Sequence, residues 1–218
     1  MEQLEQEREA ATAAVIGGLA YALLKVFQVA ASVASTAPSI ALAERQAAFA
    51  VEEFERYRLL RRRLTTLTTD VEESVSRFRA PLDAFYAGAP TEWLDAQVFH
   101  YVGDGITTDF AEMLAPALDE RSAAAVRDAL TGRAAHDAFA LEQIETALEE
   151  QGEDATRRVA SVAGRLVGEA LNRLREALFE SNALALVLGG EEAVKDLVLE
   201  LLARHRERLD RLGVDLVD

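Results

Sequence analysis

The chain has no cysteine. That excludes disulfides, thiolate nucleophiles and cysteine-ligated zinc or iron–sulfur centres. Proline is scarce. Its four copies, Pro38, Pro81, Pro90 and Pro116, mostly sit where a helix would break. Cations are outnumbered 23 to 38, leaving a formal net charge of −15. A general nucleic-acid surface is disfavoured, because phosphate binding needs clustered cations. Arg56, Arg58, Arg61, Arg62 and Arg63 do crowd one stretch. They read as a solvated helix end complementing the macrodipole. No segment alternates as a strand, and no internal repeat or low-complexity linker is present.

Half of the 218 residues are hydrophobic, enough for one sizeable core and a single domain over residues 1–218. Helix formers dominate, so the expected class is all-α. Seven helices are expected. The first runs from about Glu2 to Ser35 and the second from about Ser39 to Leu67. The third, capped by Asp70, ends near Ala87 with Pro81 kinking it. Thr91 is expected to cap a fourth that runs to about Leu114, and Asp119 a fifth that runs to about Glu150 and stops at Gly152. The sixth spans about Glu153 to Ser181. After Gly189-Gly190 the seventh runs from Glu191 to Leu212. Short connections imply antiparallel packing of neighbours, with the additional helices at the periphery.

From Ala10 to Ala43 the one charged residue is Lys25. Such a run is long enough to span a bilayer. It is nonetheless rich in alanine, glycine and hydroxyl side chains, and a central lysine costs about 2.5–3.5 kcal/mol there. Its acidic flank (Glu2, Glu5, Glu7, Glu9) is the reverse of a signal peptide's basic start. A buried bundle helix, no membrane span and a cytoplasmic location are the expectations.

Two half-motifs carry the chemistry. One is Glu53-Phe54-Glu55-Arg56, the other Arg133-Ala134-Ala135-His136. A carboxylate followed three residues later by histidine, on each of two helices, is how helical bundles hold a pair of irons. Each motif here has one correct end, and the other end is arginine. In the fourth helix Leu94, Val98, Val102, Ile106 and Met113 form an apolar stripe. Asp109 falls on it, and Asp104 lies beside it with Tyr101 and Thr108. A carboxylate on such a face needs a partner, and arginine is the expected one. His136 shares a stripe with Ala129, Gly132, Phe139 and Ala140. Glu52 and Arg56 could form an ordinary surface pair. His100 and His205 read as isolated, the latter as a cation near a helix C-terminus. No nucleophile has an activating context.

Tyr101-Val102-Gly103-Asp104-Gly105-Ile106, followed by Asp109-Phe110, resembles a ferritin-like family common in actinobacteria, as does Arg165-Leu166-Val167-Gly168-Glu169-Ala170-Leu171. That family is similar to the tRNA-modifying di-iron hydroxylases. The resemblance runs from about Ile16 to Leu212 and implies a ferritin-like antiparallel bundle. Carried over residue by residue, it makes Glu53, Asp104, Asp109 and His136 vestigial metal-ligand candidates. Leu23, Arg56 and Arg133 stand where ligands would be. The expectation is therefore no catalytic residue, no bound metal and no cofactor. Iron is what the resemblance would otherwise supply. Arg56 and Arg133 are expected to pair with Glu53 and with Asp109 or Asp104. The function expected is a non-catalytic binding or scaffold protein acting with a protein partner or as a homodimer. The alternative is a hydroxylase with an atypical ligand set, using Glu169 or Asp104, or one ion held by Glu53, Asp109 and His136. A carboxylate or phosphate ligand in the vacated centre is a further expectation.

Overall fold

A computed structural model describes residues 2–180 and 182–213. All regular structure among them is helical. Helix α1 (Glu2–Val33) is followed by a 3₁₀ turn (Ala34–Thr36) and by α2 (Ile40–Leu67). The Ser39 side chain caps α2 by accepting from the Leu42 amide. The two long helices run antiparallel: Gln46 Nε2 donates to the Ala30 carbonyl, while Phe27 packs on Phe54. Helix α3 (Val71–Ala87) is capped by Asp70, as expected, and continues through Pro81.

The expected fourth helix is in fact three pieces. Helix α4 (Trp93–Val98) passes into a π-helical turn (Phe99–Gly103) and then into α5 (Asp104–Leu114). Thr91 does not cap it; the N-cap position is Glu92, without a side-chain bond. The fifth helix is also divided. Asp119 caps α6 (Glu120–Leu130), and Gly132, at φ 84°, turns the chain into α7 (Arg133–Gln151). A side chain other than glycine would be strained there. Helix α8 (Glu153–Glu180) follows; its expected end at Ser181 falls outside the described residues. A short α9 (Ala183–Leu188), not anticipated from the sequence, precedes α10 (Glu191–Arg211).

Two apolar clusters hold these elements together. The first joins Ile16, Leu19 and Leu23 of α1 to Leu60 and Leu64 of α2, Leu114 of α5, Val126 of α6 and Leu184 of α9. The second joins Val98, Phe99 and Val102 to Ile144 of α7, Val159 and Leu166 of α8, and Leu209 of α10. Each such side chain, fully buried, contributes about 1.5–3 kcal/mol. Helix α1 is long and apolar enough to cross a membrane, yet 72% of that stretch is buried inside the fold. Its apolar surface is thus spent on α2, α3 and α9.

Candidate functional site

Between the clusters lies a buried polar centre. Helix α2 brings in Glu53 and Arg56, one turn apart on its inward face, with Glu53 only 1% exposed. Helix α7 brings in Arg133 and His136 on the same spacing. Arg133 is the first residue of α7, where the helix dipole favours an anion over a cation. Only a tertiary partner makes arginine tenable there, and that partner is Glu53.

One carboxylate oxygen, Glu53 Oε1, collects three donors. Arg56 Nη1 lies at 2.7 Å, His136 Nδ1 at 3.0 Å, and Arg133 Nη1 closes the group. Arg56 Nη2 reaches Glu52 Oε2 at 3.3 Å and donates to the Thr131 carbonyl at 3.1 Å, tying α2 to the end of α6. His136 Nε2 sits 3.0 Å from the same Glu52 oxygen. Both ring nitrogens therefore face carboxylates, and Arg56 Nη1 lies 3.4 Å from Nδ1. Glu52–Arg56 is consequently not a surface pair, because Arg56 is buried. Burial alone would raise the Glu53 carboxyl. The Arg133 guanidinium, the hydrogen bond from His136 and the charge of Arg56 outweigh it and hold Glu53 at about 2. Burial also works against the charge on Arg133, but Glu53, Asp104 and Asp137 push its pKa above the ordinary value.

Asp104 stands on the other side of the centre. Its partner is not arginine but His100, whose Nδ1 lies 2.7 Å from Asp104 Oδ2. His100 is thus not isolated. The π turn that ends at Gly103 places it against Asp104. Such turns often mark functional sites. Gln46 lies 3.2 Å from His100 Nε2, and Gln97 donates to Gln46. Asp109 does not join the centre. It pairs with Arg208 of α10 at 2.9 Å, and the same guanidinium reaches Asp137 at 3.2 Å. Gly105 makes this possible: a Cβ there would lie 2.6 Å from Arg208 Cζ.

Leu23 packs in the first apolar cluster, and from α1 it is Val26 and Ala30 that line the centre. Glu169 is on α8 beside Arg165 and does not line it. The structure thus brings together Glu53, Arg56, Arg133, His136 and Asp104, and leaves Leu23, Asp109 and Glu169 apart. Glu52, His100, Gln46, Gln97, Asp137 and Arg208 complete the picture, and sequence reasoning gave none of them this role. Asp137 had a legible signal, its i,i+4 spacing from Arg133. His205 is the clearest correction. It is not a solvated cation but 4% exposed, and burial together with Arg208 pushes its pKa down to about 4, against a smaller upward pull from Asp109. Arg63, likewise, is no loose end of the arginine run: it bonds Ser122 and Asp119 at 2.9 Å each.

The space left at the centre is about 20 Å³, room for one water molecule. Glu53 Oε2 and Asp104 Oδ1, both without a protein partner, belong to residues that line it. A carboxylate or phosphate ligand does not fit there, because the guanidiniums are already taken and the room is not there. A pair of irons does not fit this donor set either. Two side chains that cannot deprotonate hold the inner oxygen of Glu53. Among the described residues, no group of three or more His, Asp and Glu side chains is arranged to hold an ion.

A family model described as the ferritin-like domain of actinomycetes matches residues 6–191. The chain belongs to that family. The ferritin-like bundle is also similar to a solved structure, described as protein 19 with aldehyde deformylating oxidase activity, from Synechococcus. The TM-score is 0.71 at 14% identity, covering 96% of this chain and 92% of that one. At that identity the likeness shows the ferritin-like fold alone. No curated protein matches this chain.

Proposed function

We propose that this protein is a non-catalytic binding or scaffold member of the ferritin-like family, with an internal ion-pair cluster where relatives of the di-iron type hold metal. The observation that carries the reading is the triple engagement of Glu53 Oε1 by Arg56, Arg133 and His136. Two guanidiniums neutralise the carboxylate that divalent ions would otherwise neutralise. A divalent ion at Glu53 Oε1 would have to displace both and would set its own charge against two buried cations. Among the described residues that line it, the centre also offers no hydroxyl, thiol or amine nucleophile. A protein partner, or a second copy of the chain, belongs to the same proposal. Ile40, Val51 and Phe54 are large apolar side chains that α2 leaves exposed.

Elemental analysis tests this. Protein produced in iron-rich medium, or given ferrous iron without oxygen, should carry no stoichiometric iron or manganese. Its melting temperature should not rise, since a ligand of the folded state alone must raise it. Near-stoichiometric metal sinks the proposal. Conversely, Arg56→His with Arg133→Glu and Val26→Glu should create iron uptake, because these changes complete a carboxylate–histidine set around Glu53, His136 and Asp104.

A second reading is an oxygenase of the tRNA-hydroxylase kind with an atypical ligand set. What favours it is the pair of unpartnered oxygens, Glu53 Oε2 and Asp104 Oδ1, beside one small space. The iron-loading measurement separates the two, because this reading requires metal in the unaltered protein.

A further inference from the structure

On the other side of α1 and α5 lies a second and larger cavity, of about 160 Å³. Leu19 and Ala22 of α1, Phe78 and Leu82 of α3, Ile106 of α5 and Leu184 of α9 are among the apolar side chains that wall it. It shares no lining residue with the Glu53 centre. A dry apolar cavity of about 150 Å³ takes a benzene-sized guest. The space here therefore suits an apolar body of about six to eight carbons.

Three polar side chains, Thr107, Arg173 and His205, interrupt the apolar wall, and the last two do so in a particular way. His205 of α10 lines the cavity with both ring nitrogens buried and without a hydrogen-bond partner. Arg173 of α8 lines it too. Its Nη1 bonds Glu176 at 2.6 Å, while its Nε is buried and unpartnered. Buried polar groups are nearly always satisfied, so unsatisfied ones at a cavity wall call for a ligand group.

We propose that this cavity binds a medium-chain monocarboxylate, its chain against the apolar wall and its carboxylate at His205 and Arg173. The polarity of the head group follows from the donors. Arg173 offers an N–H and a positive charge, and the imidazole offers one N–H. Burial keeps that ring neutral, and the cation Arg208 nearby adds to its preference for an anion over a proton. Among the described residues no Asp or Glu lines the cavity, and Glu176, beside Arg173, is already taken by it, so an ammonium head would meet no free counter-charge. An alcohol would find hydrogen bonds but no charge assistance.

This inference goes beyond the proposed function and stands separately from it, because the two sites have no wall in common. Octanoate, 1-octanol and octylamine are the probes, titrated calorimetrically into the full chain. Octanoate should bind saturably, one per chain, and about tenfold or more tighter than 1-octanol. Octylamine should not bind. Arg173→Met should bring octanoate down to the level of 1-octanol, His205→Leu should weaken octanoate in part, and Ala170→Trp, which fills the cavity, should remove both. Isotope-edited contacts from octanoate to the methyls of Ile106 and Leu184 locate the guest in the unaltered protein, whether or not the variants fold. Absence of saturable octanoate binding overturns the proposal. So do equal affinities for octanoate and 1-octanol, contacts elsewhere, or undiminished binding by a folded Ala170→Trp protein. Iron uptake in the same preparation would overturn the proposed function and leave this inference intact.

Discussion

Two interior spaces of this bundle, at Glu53 and at His205, are opposites. Around Glu53, charge is dense and the room is about 20 Å³. Around His205, the wall is mostly apolar, the room is about 160 Å³, and both ring nitrogens and Arg173 Nε have no partner. Both are enclosed by α1 and α5 from different sides. The contrast shows what decides whether a buried site can take a guest. It is not the number of polar groups but whether the protein has already satisfied them. Glu53 is held by two guanidiniums, Arg56 and Arg133, which stand where a metal-binding bundle would place ligands. His205 is surrounded by residues that ask nothing of it.

The largest expected effect comes from breaking the first region. Arg133→Leu leaves Glu53 buried with one guanidinium fewer and should cost about 3–5 kcal/mol in denaturant unfolding. Replacing Glu53, Arg56 and Arg133 together by leucine or methionine should cost much less, because a buried ion group swapped whole for apolar volume is often neutral. If the single change is as mild as the triple, the cluster does not hold the fold together in the way described. The corresponding test of the second region is His205→Leu. It adds apolar contact and removes unsatisfied nitrogens, so it should leave stability at neutral pH unchanged or slightly raised.

Acid should separate the regions in sequence. Above pH 6.5 both contribute fully. His205 has a folded pKa near 4 against an ordinary 6.5, so the unfolded chain binds the proton first. Stability falls as the pH drops through the window from 6.5 to 4, by up to about 3 kcal/mol, and no further below it. Glu53 has a folded pKa near 2 against 4.5, again with the unfolded chain taking the proton first. Its share, about 3 kcal/mol, is lost between 4.5 and 2. Unfolding free energy measured against pH should therefore fall in two stages. His205→Leu should remove the upper stage, and Glu53→Gln should shrink the lower, to which Asp83 and Asp119, both also held below the usual carboxylate range, contribute. A single stage at the lower window would mean that His205 is not buried neutral.

Much of this was legible in the sequence. The helical class, the caps at Asp70 and Asp119, and the stops at Gly152 and Gly189-Gly190 follow from propensity and capping alone. Arg56 and Arg133 could be expected to meet Glu53, because the two half-motifs are mirror gaps in one pattern. What local rules could not supply was phase and long-range pairing. The stripe Leu94, Val98, Val102, Ile106 advances by four residues each time, whereas an α-helix turns in 3.6. An unbroken α-helical reading of that stripe misses the wider π turn at Phe99–Gly103, which sets His100 against Asp104. Arg208 and Asp109 are 99 residues apart, and no spacing rule connects them. His205 sits among arginines in sequence, so local charge predicted exposure. Its burial follows from the packing of α10 on α5, which only the tertiary fold determines.

The smallest effect is the one that links the two regions. Arg208 reaches Asp109 at 2.9 Å and Asp137 at 3.2 Å, and Asp137 in turn lies 3.7 Å from Arg133 of the first region. The same guanidinium depresses the pKa of His205 in the second. Its path across α5 exists because Gly105 has no side chain. In Gly105→Ala the guanidinium must swing away, because the new methyl would sit 2.6 Å from Cζ. Losing two charge-assisted contacts destabilises, while alanine in a helix recovers up to about 1 kcal/mol over glycine. The net change in stability should therefore be small, about 1 kcal/mol or less. The informative readout is the pH profile. Without Arg208 nearby, the folded pKa of His205 should rise, and the upper acid stage should shrink and end at higher pH, while the lower stage stays put. An upper stage that does not move would mean that burial alone sets His205 and that the two regions are not electrostatically joined.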